Sequence, residues 1–281
     1  MMRDEVLMKM MRLLPKSALS TLVGKATRAK APKVVHQLAM RAFARRFEVA
    51  MEEAEQGFEG YDTFAQFFTR RLRPGLRPIA EGEKVVVSPV DGAVSQVGYA
   101  ASGQLLQAKG ISFPVGKLLG DEQKAQAFSE GAFATLYLSP RDYHRIHSPL
   151  MGEIVRYQYL PGQFWPVNRA SVRLTDALFA INERLVTYLR TNAGEVAVVA
   201  VGATCVSRIH AAYDSIITHE GQPATGMSYP TPIAIRKGEE LAMFEMGSTV
   251  ILLFENGRVR WDEGLVPDRP VKLGERLGVC L

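Results

Sequence analysis

The sequence predicts an α+β protein in which a β-rich core, of sandwich or barrel type, follows amphipathic helices at the N-terminus. Short runs of β-branched residues, separated by glycine, proline and aspartate, fill the chain after about residue 84, and such runs are typical of strands. Before them, apolar residues recur at helical spacing among basic ones. With 281 residues, 47% of them hydrophobic, the chain is long enough for one large domain and an appendage.

The N-terminal part, residues 1–60, is predicted to form two or three short helices that break near Pro15 and Pro32, because proline interrupts a helix. Apolar residues such as Leu38 and Phe43 share one face of these helices, opposite basic residues. Helices of this kind either lie in the interface of an anionic membrane or pack on the main domain as a solvated cationic face. The residues alone leave both interpretations open.

Charge and cysteine content narrow the class of protein. A formal net charge of +5 is compatible with an anionic membrane or with nucleic acid, but the basic segment shows no helix-turn-helix and no aromatic stacking pattern, which disfavours nucleic acid. No apolar run there approaches the ~20 residues of a membrane span, and no signal peptide is recognisable. Cys205 and Cys280 lack the spacing of a disulfide framework or a zinc site, which favours a reducing compartment.

The main, β-rich domain is predicted over residues 61–281. One helix is expected to lead into it and to end at the turns around Pro74 and Pro78. A longer helix is predicted over residues 171–189, where leucine and isoleucine recur on one face. Strands are expected in six segments, residues 84–100, 132–140, 152–160, 194–209, 238–255 and 271–281.

Two polar sites stand out from the apolar strands. Asp91 precedes Gly92 where a strand meets a turn, and an isolated Asp-Gly usually does no more than form that turn. His144 and His147 lie in one turn between two prolines. A lone pair of this spacing is more often structural, and a metal site would need a third ligand that the sequence does not supply.

A third polar site, Gly247-Ser248, precedes a fully apolar strand. Aspartate, histidine and serine are the parts of a triad in which imidazole removes the hydroxyl proton. A serine hydrolase usually carries its serine in a G-x-S-x-G turn, and the second glycine is missing here. With no Cβ, Gly247 exposes its carbonyl to the hydroxyl of Ser248 and tolerates the strained backbone that an attack requires.

Eight motifs, spread over nearly the whole chain after about residue 60, resemble those of the bacterial phosphatidylserine decarboxylases of the pyruvoyl-dependent, membrane-associated type. The motifs are FFTRRLRPGLRPI, VSPVDGAVSQVG, LSPRDYHRIHSPLMGEI, LPGQFWPVN, LFAINERL, VAVVAVGATCV, KGEELAMFEMGSTVILLFE and VKLGERLG. The resemblance implies self-cleavage between Gly247 and Ser248, which gives a β chain, residues 1–247, and an α chain, residues 248–281. The serine would become a covalent pyruvoyl group, and no pyridoxal phosphate would be required.

The resemblance also implies roles for the polar residues. His147, oriented by Asp91, would deprotonate Ser248, whose alkoxide attacks the carbonyl of Gly247. The pyruvoyl group would form a Schiff base with phosphatidylserine and accept the electrons released with carbon dioxide, which yields phosphatidylethanolamine. His144 is implied to act in decarboxylation, as an acid or a substrate contact.

Further implications concern substrate contacts and partners. Tyr143, Phe164 and Trp165 are implied to contact the substrate, although Pro166 stands where relatives often carry serine. The two chains would form a heterodimer, with a further homodimer of such pairs. The protein would bind the cytoplasmic side of the cell membrane as a peripheral protein, through an anionic lipid surface.

Three other classes compete with this interpretation. A lipid hydrolase would use the same Asp-His-Ser set with an intact chain. A lipoyl- or biotin-type carrier has strands similar to SPVDGAVSQVG, but this sequence lacks the modified lysine of such domains. A soluble pyruvoyl-dependent amino-acid decarboxylase shares the chemistry, and the basic N-terminal helices argue against it.

Overall fold

A computed structural model of the chain describes residues 16–30, 32–108, 110–204, 208–245 and 249–281. The described α-helices are α1 Lys16–Arg28, α2 Lys33–Phe47, α3 Phe64–Phe68, α4 Val115–Leu119, α5 Glu122–Ala125, α6 Arg169–Leu174 and α7 Leu178–Ile181. Short 3-10 helices lie at Met51–Glu53, Phe58–Gly60 and Gln126–Phe128. The strands are β1 Val85–Val87, β2 Gly92–Tyr99, β3 Gln104–Ala108, β4 Ile111–Pro114, β5 Ala132–Tyr137, β6 Arg145–His147, β7 Gly152–Leu160, β8 Arg184–Thr191, β9 Gly194–Val201, β10 Ile209–Ala211, β11 Thr225–Ile235, β12 Glu240–Phe244, β13 Thr249–Phe254, β14 Val259–Trp261, β15 Pro270–Val271 and β16 Arg276–Cys280.

The fold is mixed, with a strand-rich core of antiparallel sheets. The largest sheet has eight strands in the order β11-β7-β8-β9-β13-β5-β2-β15. Two three-stranded sheets, β1-β16-β14 and β10-β12-β6, and the hairpin β3-β4 accompany it. The large sheet is open, since β11 and β15 are its edge strands, and no barrel closes within the described ranges.

Strand β13 lies in the middle of the large sheet. It pairs with β9 on one side and with β5 on the other, and all six of its side chains are buried. Its sequence, TVILLF, shows no polar alternation because both faces of the strand are covered. The segment 246–248, which contains the predicted cleavage site, directly precedes this strand in the chain and lies outside the described residues.

The helical segment near the N-terminus forms a small core of its own. Met40 and Ala44 on α2 pack with Phe67 on α3, so this core joins residues on both sides of the predicted domain boundary at residue 60. Helix α2 begins directly after Pro32, at the predicted break. Leu38, however, is 69% exposed and does not share a buried face with its neighbours. The boundary and the amphipathic character of the segment stay predictions.

The single helix predicted over residues 171–189 is wrong. Helix α6 ends at Leu174, and Ala177 takes a left-handed φ of 49° that interrupts the helix before α7. From Arg184 the chain is strand β8, paired along its whole length with β7 and β9. The run RLVTYLRT is rich in β-branched and aromatic residues, and its long-range pairing prevails over the local helical spacing of leucines.

The helix expected before Pro74 is also shorter than predicted. Only Phe64–Phe68 is α-helical, and it begins where the side chain of Thr63 accepts a hydrogen bond from the backbone nitrogen of Gln66. No helix in the described part of the chain has both the length and the apolarity to cross a membrane.

Candidate active site

The β5–β6 loop and β6 bring the two histidines beside the strand that leads to the predicted cleavage site. Strand β6 pairs with β12, with Arg145 opposite Met243. The backbone nitrogen of Phe244, the last residue of β12, donates a hydrogen bond of 2.9 Å to the carbonyl of His144. Gly247 and Ser248 themselves lie outside the described residues. The histidines are therefore fixed next to the chain that enters segment 246–248.

His144 is fully buried and neutral. Its Nδ1 donates to the carbonyl of Asp142 at 2.8 Å, and the ring of Phe68 lies 4.1 Å away between centroids. Burial, together with the positive charge of Arg70, lowers the pKa of His144 to about 3. Its Nε2 is buried and has no hydrogen-bond partner among the described residues, so within this part of the chain its lone pair is unsatisfied.

His147 is held as the tautomer that can act as a base. Its Nδ1 donates to the carbonyl of Gly238 at 2.9 Å, which leaves the lone pair on Nε2. Burial lowers the pKa of His147 and raises the pKa of Tyr143 to about 12. The hydroxyl of Tyr143 therefore keeps its proton. It lies 3.2 Å from Nε2 of His147 and donates a hydrogen bond to it.

Asp91 is buried close to His147 but bonds to other groups. It accepts hydrogen bonds from Nε and Nη2 of Arg77 at 2.9 and 2.6 Å, and from the backbone nitrogen of Leu273 at 2.8 Å. The nitrogen of His147 donates to the carbonyl of Pro89, two residues before Asp91. The imidazole of His147 is therefore oriented by the carbonyl of Gly238 and not by the carboxylate of Asp91. This differs from the sequence-based interpretation, in which Asp91 orients His147.

Gly92, directly after Asp91, is required by close packing. A Cβ at this position would lie 2.4 Å from the backbone oxygen of Tyr137 on β5. Any side chain would therefore push β2 away from β5 and move Asp91 with it. The Asp-Gly pair thus serves the site by packing rather than by a special turn conformation.

Arg70 is part of this site, and sequence reasoning missed it. Its Nη2 donates to the carbonyls of Arg141 and Asp142 at 2.7 and 3.2 Å, so it shares the carbonyl of Asp142 with His144. Only 4% of Arg70 is exposed, and burial lowers its pKa. In the sequence it stands in the run TRRLR, which has the composition of a solvated surface, so no local pattern marks it as buried.

Phe164 and Trp165 are buried in the core. The ring of Phe164 meets the ring of His219 at 4.6 Å, edge to face. The indole nitrogen of Trp165 donates to Gln163 at 2.6 Å, and its backbone nitrogen donates to Asn182. Neither aromatic side chain lines the cavities described next, so their contact with substrate stays a prediction.

Two neighbouring cavities lie beside the start of β13. The arginine-lined cavity has a volume of about 590 Å³ and is bordered by Thr249. Its walls carry three arginines, two aspartates and several apolar residues, namely Arg141, Arg169, Arg173, Asp142, Asp268, Val94, Val172 and Phe179. The phenylalanine-lined cavity, of about 260 Å³, is bordered by Phe43, Phe47, Phe68 and Pro166. Both cavities share Tyr137 and Val167. Thr249 is itself buried, and its hydroxyl has no hydrogen-bond partner among the described residues.

No group of three or more His, Cys, Asp or Glu side chains within the described ranges is arranged to hold a metal ion. The polar groups of the site are instead two neutral imidazoles, a buried ion pair and a buried guanidinium. This set is suited to moving protons and to stabilising anions.

Comparison with known proteins identifies the family. The family model described as phosphatidylserine decarboxylase matches residues 64–279. A phosphatidylserine decarboxylase proenzyme from Myxococcus xanthus is 63% identical over 278 residues, which cover 99% of each chain. Proenzymes of the same name from Anaeromyxobacter sp. and Acinetobacter baumannii are 55% and 39% identical, and each alignment covers at least 98% of both chains. The chain therefore belongs to the phosphatidylserine decarboxylase family.

Proposed function

We propose that this chain is a carboxy-lyase proenzyme that cuts itself between Gly247 and Ser248 and then converts phosphatidylserine to phosphatidylethanolamine and carbon dioxide. Family membership supplies the substrate and the reaction class. The observation that supports the site assignment is the pairing of β6 with β12, the strand that leads towards segment 246–248: His144 lies beside Phe244 at the end of β12, and His147 lies opposite Glu240 at its start.

The first step of self-cleavage is removal of the Ser248 proton. His147 is the base, because its Nδ1 proton is committed to Gly238 and its Nε2 is held only by a 3.2 Å contact with Tyr143. The alkoxide attacks the carbonyl of Gly247 and forms an ester in place of the amide. β-Elimination then breaks the ester, leaves the carboxylate on Gly247, and gives a dehydroalanine that water converts to pyruvoyl and ammonia.

Two buried polar atoms of the described chain are available to a polar group at position 248. Nε2 of His144 and Oγ1 of Thr249 are buried polar atoms without partners in the described part, and buried polar atoms are normally hydrogen-bonded. The pyruvoyl group supplies a conjugated carbonyl that accepts electrons as carbon dioxide departs. His144, kept neutral by burial and by Arg70, offers the lone pair on Nε2 as a hydrogen-bond acceptor for a donor group of the substrate.

The two cavities suit a phospholipid. Cations in the arginine-lined cavity bind the phosphodiester and the carboxylate of the headgroup, since guanidinium groups match both geometries. The phenylalanine-lined cavity lies between α2 and the end of β5 and offers apolar walls to the start of an acyl chain. The shared residues Tyr137 and Val167 place the two parts of the substrate side by side.

The outer side of the helical segment suits an anionic membrane. Leu22 on α1 and Val34 and Leu38 on α2 are 65%, 77% and 69% exposed. Basic residues lie among them on the same helix α2, namely Lys33, Arg41, Arg45 and Arg46. Apolar burial and attraction to anionic lipid then add, which makes the enzyme a peripheral protein of the cytoplasmic membrane face.

The two chains stay together after the cut. Strands β13, β15 and β16 belong to residues 248–281 and pair with β5, β9, β2 and β1, which belong to residues 1–247. These pairings and the buried face of β13 survive cleavage of one backbone bond. A homodimer of such heterodimers stays a prediction of the family resemblance.

Decarboxylation by the purified protein tests the proposal. Wild-type protein should release carbon dioxide from phosphatidylserine in mixed detergent micelles, and phosphatidylethanolamine should accumulate in equal amount. Ser248→Ala should release none, because position 248 then cannot supply the carbonyl. Release by both proteins, or hydrolysis of the lipid esters without loss of carbon dioxide, would contradict the assignment.

A further inference from the structure

An ion pair between a half-buried arginine and a buried glutamate links the N-terminal helix α1 to the chain just before the predicted cleavage site. Nη1 of Arg28, the last residue of α1, lies 2.5 Å from Oε2 of Glu245. The other oxygen of the same carboxylate lies 2.9 Å from Nε2 of His210 on β10. Glu245 directly follows β12 and stands two residues before Gly247.

The contacts fix Glu245 in one position. Only 6% of Glu245 is exposed, and its backbone nitrogen donates to the carbonyl of Arg208 at 3.0 Å. Both carboxylate oxygens and the backbone nitrogen are therefore held, one oxygen by α1 and the other two groups by β10 and the residue directly before it. Charge-assisted bonds of this kind are short and directional, so they restrict the rotamer of the side chain and the path of the chain.

Self-cleavage depends on such restriction. The hydroxyl of Ser248 must reach the carbonyl of the preceding residue, and a misplacement of about 1 Å can slow a positioned reaction by about 10²-fold. The described chain is fixed up to Glu245 on one side and from Thr249, within β13, on the other. The anchoring of Glu245 thus sets one end of the short reactive segment.

We propose that Glu245 is a positioning residue for self-cleavage, and that Arg28 makes helix α1 a working part of maturation rather than only a membrane anchor. This inference rests on the proposed cut at Gly247–Ser248. Because α1 also carries the exposed Leu22, the helix that meets the lipid surface is the one that holds the reactive segment. The pair acts on the precursor whether or not a membrane is present.

The test measures maturation without membranes. Wild-type chain, Arg28→Met, Glu245→Gln and the double variant are synthesised in a cell-free system without added lipid, and conversion of the labelled precursor into two chains is followed by denaturing electrophoresis. Each single variant should mature about 10- to 100-fold more slowly than wild type. The double variant should be no slower than the slower single variant, because both substitutions remove the same ion pair between Arg28 and Glu245.

A matched control separates this contact from a general loss of charge. Arg190→Met removes an ion pair with Glu153 in which both side chains are exposed, and it should mature at the wild-type rate. The melting temperature of each variant in a Ser248→Ala background reports whether the precursor folds. Glu245→Asp keeps the negative charge but has a shorter side chain. This variant should mature slowly, and its precursor should melt at the wild-type temperature.

The outcomes separate the inference from the proposed function. Equal rates for wild type and Arg28→Met, or slowing in the double variant that multiplies the two single effects, would overturn the role of the pair. Wild-type precursor that never cuts at Gly247–Ser248 would instead overturn the proposed function on which the pair depends.

Discussion

Strand β13 and helix α2 bury their apolar residues very differently. All six side chains of β13 are buried on the two covered faces of the sheet, whereas α2 leaves Val34 and Val35, 77% and 56% exposed, on its outer side. The folded chain itself accounts for the apolar sequence of β13. It does not account for the apolar residues on the outside of α2. A lipid surface that covers them would account for these residues. The comparison separates residues that hold β13 in the sheet from residues to which the proposed function assigns binding of a lipid surface.

The largest expected effect concerns the base next to β12. His147→Ala should slow maturation by about 10² to 10⁴, because Ser248 loses the group that removes its proton. His144→Ala should still mature but should decarboxylate poorly, since Nε2 of His144 has no hydrogen-bond partner in the described part and the proposed function assigns this atom to the substrate. Electrophoresis of the precursor and carbon dioxide release measure the two steps. Equal maturation of both variants would remove the division of roles.

A pair of truncations compares the two regions directly. Leu252→Ala in β13 should lower the free energy of unfolding by about 2–5 kcal/mol, because it leaves a cavity in a fully buried strand. Leu38→Ala on α2 should change it by no more than about 0.5 kcal/mol, because that side chain is mostly in solvent. Urea unfolding of both variants in the Ser248→Ala background gives the values. Similar losses at the two positions would contradict the burial difference.

The buried histidine predicts a pH dependence of stability. The pKa of His144 is lowered from 6.5 to about 3 in the folded chain, so below pH 6.5 the unfolded chain binds a proton that the folded chain does not. Above pH 6.5 the residue does not reduce the free energy of unfolding, and this free energy decreases as the pH falls from 6.5 towards 3. Between pH 6.5 and pH 5 the loss should be about 2 kcal/mol.

Urea unfolding of the Ser248→Ala precursor across this range measures the slope. The same measurement on a His144→Gln precursor should give a shallower slope, since glutamine does not titrate. Equal slopes in the two proteins would show that His144 is not held neutral by the fold.

The smallest expected effect concerns membrane binding. Leu38→Asp should weaken sedimentation with phosphatidylglycerol-containing vesicles by about 10-fold, because an aspartate on the outer side of α2 loses apolar contact and repels anionic lipid. Tyr99→Asp, at a position of similar exposure on β2, should bind as wild type does. Point variants are preferable to removal of residues 1–60, because α2 contributes Met40 to a core that includes Phe67. Equal weakening by both variants would indicate a general charge effect.

Part of the strand pattern could be predicted from the sequence because its signals are local. An unbroken apolar run identified β13, whereas the long edge strand β11 was not predicted. Glycine before serine led to the prediction of a bond prone to attack, which stays a prediction. The helix predicted over residues 171–189 failed because leucines at helical spacing also occur in a strand that is buried on both faces, as in β8. Its pairing partners lie far away in the chain, so no local window contains them.

The surroundings of the site could not be predicted for the same physical reason. Gly238 orients His147 across a sequence separation of 91 residues, and Arg28 meets Glu245 across 217. Arg70 and Arg77 stand in one basic run of the sequence. Arg70 is buried, and no carboxylate of the described residues lies within ion-pair distance of it, whereas Arg77 is paired with Asp91. Composition cannot distinguish such residues from solvated ones, because burial is set by the packing of the whole domain.

The central claim is that the chain makes its own carbonyl cofactor at position 248, and the mass of the purified protein under denaturing conditions tests it most directly. Active wild-type protein should give two masses, corresponding to residues 1–247 and to residues 248–281 with a pyruvoyl group in place of the first serine. Borohydride should add two hydrogens to the smaller chain only, and Ser248→Ala should give one uncut mass. An active enzyme with a single intact chain and an unmodified Ser248 would contradict the account.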